Sequence, residues 1–108
     1  MRCIAASNLA FTCLVESFEL AEKNGFPKYV ALQPQYNLVV RTKFETNYLP
    51  LVEKYGLSVF PYYSLATGFL TGKYRTQTDL GKSVRGGGVE KYLNEKGLGV
   101  LAALDRVA

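Results

Sequence analysis

The sequence predicts an α/β fold with a parallel sheet. Two stretches, "AEKNGF" at 21–26 and "VEKYGL" at 52–57, end alike, with Gly25 and Gly56 standing 31 residues apart. A short apolar run follows each glycine, "YVALQ" at 29–33 and "LSVFPYY" at 57–63, and a third run, "CIAA", opens the chain at 3–6. Runs apolar on both faces and joined by single helices indicate parallel pairing. Two layouts satisfy that pattern, a doubly wound sheet and part of a (β/α)8 barrel. No GxGxxG follows the first run, which weighs against a dinucleotide-binding doubly wound fold.

Each element has its own justification. After the first strand, Phe11, Leu14, Val15, Phe18 and Ala21 share one face of a helix. Gly25 is placed to end it, because a residue without Cβ enters the left-handed region freely. Tyr48, Leu51, Val52 and Tyr55 form the matching face of a second helix closed by Gly56. Lys23 and Lys54 put positive charge on the last turns, where carbonyls are unpaired. Pro50 requires the second helix to begin near it or to bend there. Beyond the third run, "TQTDLGKSVRGGG" is rich in glycine and polar residues, so residues 76–88 read as a mobile loop. "RGGGVEK" lacks the GxxxxGK[ST] spacing of a phosphate loop and reads as a hinge before a helix near Val89. Leu98, Leu101 and Leu104 give that C-terminal segment, 89–108, a helical period.

Composition bounds the function. The 108 residues suit one domain, and 48% hydrophobic with 20% charged residues describes a globular protein. No window reaches the roughly 20 apolar residues of a membrane span, and no clean leader opens the chain, so a cytoplasmic setting without membrane association is expected. The net charge of +4 comes from scattered basic residues with no aromatic-lined stripe, so no nucleic-acid partner is expected. Cys3 and Cys13 make no CxxC and the chain has no histidine, so no metal site is expected and the thiols read as free and buried.

In parallel α/β folds the chemistry gathers at the carboxyl ends of the strands. Here those ends read Ser7-Asn8, "QPQYN" at 33–37 and "PYYSLATG" at 61–68, three polar clusters on one rim. Gln35 and Asn37 read as turn residues, and the side chains of Tyr36 and Tyr63 as packing.

"ASN", "LQPQYNL" and "PYYSLATGFLTGKYR", in that order at that spacing, resemble consecutive strand ends of the aldo-keto reductases. The last is similar to the branch that includes bacterial NADP-dependent reductases and potassium-channel β subunits. The resemblance implies a partial (β/α)8 barrel, a single domain over 1–108, and a role in reducing aldehydes and ketones by hydride transfer from NADP(H). It implies that Ser7, Asn8 and Gln33 hold the nicotinamide carboxamide and that Tyr62 stacks on the ring. Residues 63–68, including Tyr63, Ser64, Leu65, Ala66 and Gly68, match the loop that wraps the pyrophosphate, largely through backbone amides. Lys73 matches a cation that reaches cofactor phosphate, with Arg85 a weaker candidate.

Two departures from the family pattern are visible. Tyr63-Ser64 stands where Ser-Pro is usual, so a serine hydroxyl contact at 63 is lost while backbone contacts can survive. Ala10 stands where a capping serine is common.

The family's Tyr, Lys, Asp and His proton-transfer set finds no match, so no catalytic residue is assigned. The chain resembles an internal piece of the barrel, about strand 5 to helix 7. On its own it is expected to be inactive and to self-associate through exposed strand edges. The alternative is a non-catalytic, self-associating interaction module derived from that barrel.

Overall fold

The first helical stripe folds as its spacing demands. In the computed structural model, which describes residues 1–108, helix α1 runs Phe11–Asn24 and buries Leu14, Phe18 and Ala21. Gly25 ends it at φ 67°, its N–H donating to the Ala21 carbonyl, and the Phe26 N–H donates to the same oxygen. Helix α2, Leu49–Tyr55, ends in the same way, with Gly56 at φ 62° donating to Val52. Ala10, at the start of α1, offers no side-chain cap.

Pro50 acts at the start of α2 rather than within it. Residues Phe44–Tyr48 form a widened π turn that leads directly into α2, with the Leu49 N–H reaching back to the Phe44 carbonyl. The wider turn brings the chain past a proline that has no N–H to donate.

Three strands, β1 (Ala5–Ser7), β2 (Ala31–Gln33) and β3 (Ser58–Val59), pair in parallel in the order β1-β2-β3. Ala5 opposes Ala31 and Ser7 opposes Gln33, while Ala31 opposes Ser58. The strands are shorter than the apolar runs that announce them, and proline explains the shortening between β2 and β3. The Ser58, Phe60 and Tyr62 N–H groups donate in turn to Val30, Leu32 and Pro34. The return bond expected from residue 34 is forfeited because proline carries no hydrogen on nitrogen. Pairing resumes only as an isolated bridge between Gln35 and Tyr62. This is part of a (β/α)8 barrel, with three parallel strands alternating with helices in an open sheet.

The chain divides into two compact units, one of residues 1–36 and 41–62, the other of residues 37–40 and 63–108. In the first, Ala6, Leu14, Phe18, Leu32, Phe44, Tyr48, Leu51 and Leu57 make the core. Phe18 stacks on Tyr55 with ring centroids 4.0 Å apart and planes 8° from parallel. Burying a leucine or phenylalanine side chain contributes ~1.5–3 kcal/mol, so this cluster dominates the unit's stability.

The second unit is made of short 3-10 turns, Ala66–Thr71, Gln77–Lys82, Gly86–Gly88 and Glu90–Tyr92, followed by helix α3, Glu95–Val107. Its core joins Ala66, Phe69, Tyr74, Val89, Tyr92 and Leu101, and the wholly buried Tyr74 hydrogen-bonds Ser83. Asn37 is buried and works as a staple. Its Oδ1 accepts from the Val39 and Val40 N–H groups at 3.0 and 2.8 Å, and its Nδ2 donates to the Tyr63 carbonyl at 3.0 Å.

Several expectations are corrected here. Residues 76–88, read as a loop, carry two of the 3-10 turns, and the first has a reciprocal cap between Thr76 and Asp79. The "RGGG" hinge is a packing device: a Cβ on the buried Gly86 would lie 1.7 Å from the Leu80 carbonyl oxygen. The helix expected near Val89 begins at Glu95, capped by Asn94, whose side chain accepts from the Gly97 N–H. On α3 Leu101 is buried, but Leu98 is exposed, and Gly97 sits inside against the Tyr92 carbonyl. Both thiols are exposed rather than buried. Cys3 precedes β1, and Cys13 lies one residue, about 100° around the helix, from the inward Leu14. No helix is long and apolar enough to cross a membrane.

Candidate functional site

The carboxyl end of the sheet gathers four of the sequence-predicted residues within the first unit. Ser7 closes β1 and Gln33 closes β2, and as register partners they meet directly: the Ser7 hydroxyl donates to the Gln33 carbonyl at 3.0 Å. Asn8, the next residue, holds φ 56°, a left-handed conformation that asparagine tolerates better than most side chains. Its Oδ1 accepts a 2.8 Å hydrogen bond from the hydroxyl of Tyr62, 54 residues on. Neither Ser7 nor Asn8 caps α1; both are turned to partners at the strand ends. Ser7, Asn8 and Gln33 are exposed, and Tyr62 is half-buried. The group therefore presents hydroxyl and amide chemistry to solvent from a fixed backbone.

Near it in sequence, Tyr36 does what its packing reading expects. Its ring lies 4.6 Å from Phe44 and its hydroxyl donates to Glu45 at 2.8 Å. Arg41 also binds Glu45, at 2.7 Å, and the hydrogen bonds from Arg41 and Tyr36 hold that carboxyl below its ordinary range. Gln35 is the bridge partner of Tyr62.

The remaining predicted residues lie in the second unit. Tyr63, Ala66 and Thr67 have φ of 53°, 49° and 59°, and Gly68 follows at 96°. The turn is tied by the Ala66 N–H to the Tyr63 carbonyl at 2.8 Å and by the Gly68 N–H to the Leu65 carbonyl at 2.9 Å. Ala66 is wholly buried and its N–H is given to the Tyr63 carbonyl, so it shapes the turn without facing a ligand, while Tyr63, Ser64 and Leu65 are exposed. Lys73 lies beside this turn: a Cβ on Gly68 would stand 4.0 Å from the Lys73 Nζ, which sits 5.0 Å above the Tyr74 ring. Lys73 and Arg85 are both exposed.

The loop rests on polar anchors that the sequence reading passed over. Arg75 forks onto Asp105 of α3 with bonds of 2.7 and 2.9 Å, and its Nε donates to the Gly72 carbonyl at 2.9 Å. Asp79 accepts from the Arg75 and Thr76 N–H groups, each at 2.9 Å, and pairs with Lys82. Lys82 and those amides together hold the Asp79 carboxyl far below its ordinary value, and Arg75 does the same, less strongly, for Asp105. A signal was present for the Asp79 anchor, since Thr76-x-x-Asp79 is the spacing of a capping box. None was present for Arg75 and Asp105, which are 30 residues apart.

Comparison with known proteins points to one family. The model of the aldo/keto reductase family matches residues 1–108. Over 83 residues, 77% of the chain, it is 36% identical to aflatoxin B1 aldehyde reductase member 2 of Rattus norvegicus. Over 61 residues, 56% of the chain, it is 39% identical to a protein of Oryza sativa subsp. japonica named "Probable voltage-gated potassium channel subunit beta". Aldo-keto reductase family 7 member A3 of Homo sapiens is 33% identical over 79 residues, 73% of the chain. The matched segments span 22%, 19% and 24% of those three relatives, respectively.

Proposed function

The chain belongs to the aldo/keto reductase family, and on that footing we propose that it carries cofactor-binding parts of an NADP(H)-dependent carbonyl reductase. In this reading Ser7, Asn8 and Gln33 hold the nicotinamide carboxamide and Tyr62 stacks on the ring. The loop Tyr63, Ser64, Leu65, Ala66 and Gly68 wraps the pyrophosphate, with the first three exposed, the Ala66 and Gly68 N–H groups holding the turn itself, and Lys73 answering the charge. The bound dinucleotide supplies a hydride for an aldehyde or ketone; the chain's own residues bind and orient it.

One observation carries the reading. Every non-glycine residue with positive φ falls on a position the cofactor assignment uses or spans: Asn8, Tyr63, Ala66 and Thr67. Such conformations cost ~1–3 kcal/mol each and collect where a ligand is gripped. The donor set also fits: a primary amide offers one acceptor and one donor, and Ser, Asn and Gln side chains can supply the complement.

Proton transfer is a separate matter. General acid catalysis needs a positioned donor, and the chain has no histidine to assist one. In the same reading the isolated chain binds NADPH without turning over a carbonyl substrate, in a cytoplasmic setting. The strand order leaves β1 and β3 paired on one side only, which supports self-association at those edges and the second reading, an interaction module.

Titration of NADPH, followed by nicotinamide fluorescence, tests the cofactor reading. Binding that weakens several-fold in Gln33→Ala, with no reduction of a reactive aldehyde, is the expected result. Absence of binding in the wild-type chain overturns it.

A further inference from the structure

The hydrogen bond between Tyr62 and Asn8 does more than join two residues of the proposed site. A primary amide side chain has two faces, an oxygen that accepts and a nitrogen that donates, and an exposed one presents either by turning about its last torsion. In the structure Asn8 is held in one of these senses. Its Oδ1, a carbonyl oxygen that can only accept, takes the Tyr62 hydroxyl hydrogen at 2.8 Å. The Nδ2 hydrogens are then the group left to offer a ligand. Ser7, the preceding residue, is fixed with the opposite sense. Its hydroxyl hydrogen is given to the Gln33 carbonyl at 3.0 Å, so its oxygen is left with lone pairs that accept.

We infer that the Tyr62 hydroxyl is a positioning group: it sets Asn8 as donor beside Ser7 as acceptor, and so selects a primary carboxamide in one orientation. This rests on the cofactor reading above and adds to it a polarity and a cause. The ring oxygen that performs the selection is separate from the ring face assigned to stacking. A ligand whose amide is replaced by a methyl ketone keeps the acceptor that Asn8 addresses and loses the donor that Ser7 requires. One replaced by a carboxylate sets an oxygen against the Ser7 lone pairs.

The test compares two reduced dinucleotides, NADPH and its 3-acetylpyridine counterpart, on the wild-type chain, Tyr62→Phe and Ser7→Ala. One hydrogen bond of ordinary strength gives the wild type a preference for the carboxamide of about fivefold to tenfold. Tyr62→Phe keeps the ring and removes the hydroxyl that holds Asn8, so Asn8 can turn and the ratio falls toward one. Ser7→Ala lowers the ratio as well. A ratio that Tyr62→Phe leaves intact overturns the inference, even where both affinities fall together, because general damage to the site moves both.

A ligand-free readout separates this from the cofactor reading. The nuclear relaxation of the Asn8 side-chain amide reports its order. A rigid amide in the wild type that becomes mobile in Tyr62→Phe is expected, and equal mobility in both overturns the positioning role. Failure of the wild type to bind either dinucleotide overturns the cofactor reading instead.

Discussion

The two units of this chain reach order by different physics. Residues 1–36 and 41–62 repeat one plan, in which a strand leads to a helix and the helix stops at a left-handed glycine. Apolar faces do most of the work there, with Phe18 against Tyr55 at the centre. Residues 37–40 and 63–108 have no sheet and, before α3, no helix longer than six residues. Their turns hold because polar groups are spent on them: Asn37 on Tyr63, Arg75 on Asp105 and Gly72, Asp79 on two amides and Lys82. A helix can be made from a stripe alone, whereas consecutive 3-10 turns need each end satisfied separately.

The contrast can be broken most forcefully at the two apolar centres. Phe18→Ala and Phe69→Ala each remove a wholly buried ring and should each cost ~3–5 kcal/mol. Amide exchange locates the damage, with Phe18→Ala releasing protection across α1 and β2, and Phe69→Ala across residues 66–74 and α3. Protection lost equally over all 108 residues in both variants would show the division into units to be without energetic meaning.

A smaller effect separates the two kinds of glycine. Gly86→Ala drives a Cβ to 1.7 Å from a backbone oxygen, which a side-chain rotation cannot relieve, and should cost about 3 kcal/mol, the upper end of ordinary overpacking. Gly25→Ala meets no atom within 4 Å and pays only for its left-handed backbone, about 1–2 kcal/mol. Denaturant midpoints of the two variants decide, and equal losses would contradict the packing role of Gly86.

Acid gives the smallest and most selective effect. Asp79 and Asp105 titrate below their ordinary value of 3.8 in the folded chain. Each therefore contributes stability above that value and loses it as the pH falls through the depressed folded value. In the first unit Glu45, held by Arg41 and Tyr36, is the corresponding carboxylate. As the pH falls below 3.8, the protection of the Arg75 and Thr76 amides relative to their free exchange rates should decline while that of α1 holds. Asp79→Asn should give the same loosening at neutral pH; its absence there would remove Asp79 as an anchor.

The same contrast explains what could be read in the sequence. α1 and α2 were legible because their signals are local, a 3.6-residue stripe and a glycine after it. The strand ends carrying Ser7, Asn8 and Gln33 were legible for the same reason, since each follows an apolar run. Strand length was not, because it depends on a partner: Pro34 interrupts pairing with a run 26 residues further on. The second unit was misread where a local rule met a distant atom. "GGG" is flexible by composition, yet Gly86 is fixed by the Leu80 carbonyl. Cys13 looked apolar enough for the core, and only the orientation of its helix exposes it.

The order of the sheet has a consequence for how the chain assembles. Each strand pairs with the one synthesised just before it, with Ala5 opposite Ala31 and Ala31 opposite Ser58, so closures of 26 and 27 residues suffice. Loops of that length differ little in entropy, and the sheet can grow along one edge during translation with no later strand inserted between earlier ones. Asn37–Val40 follow another timetable. They emerge between β2 and α2 but belong with residues 63–108, and the carbonyl that Asn37 binds is that of Tyr63. A chain that has emerged only as far as residue 62 would thus have its sheet free to pair while Asn37 still waits for the Tyr63 carbonyl.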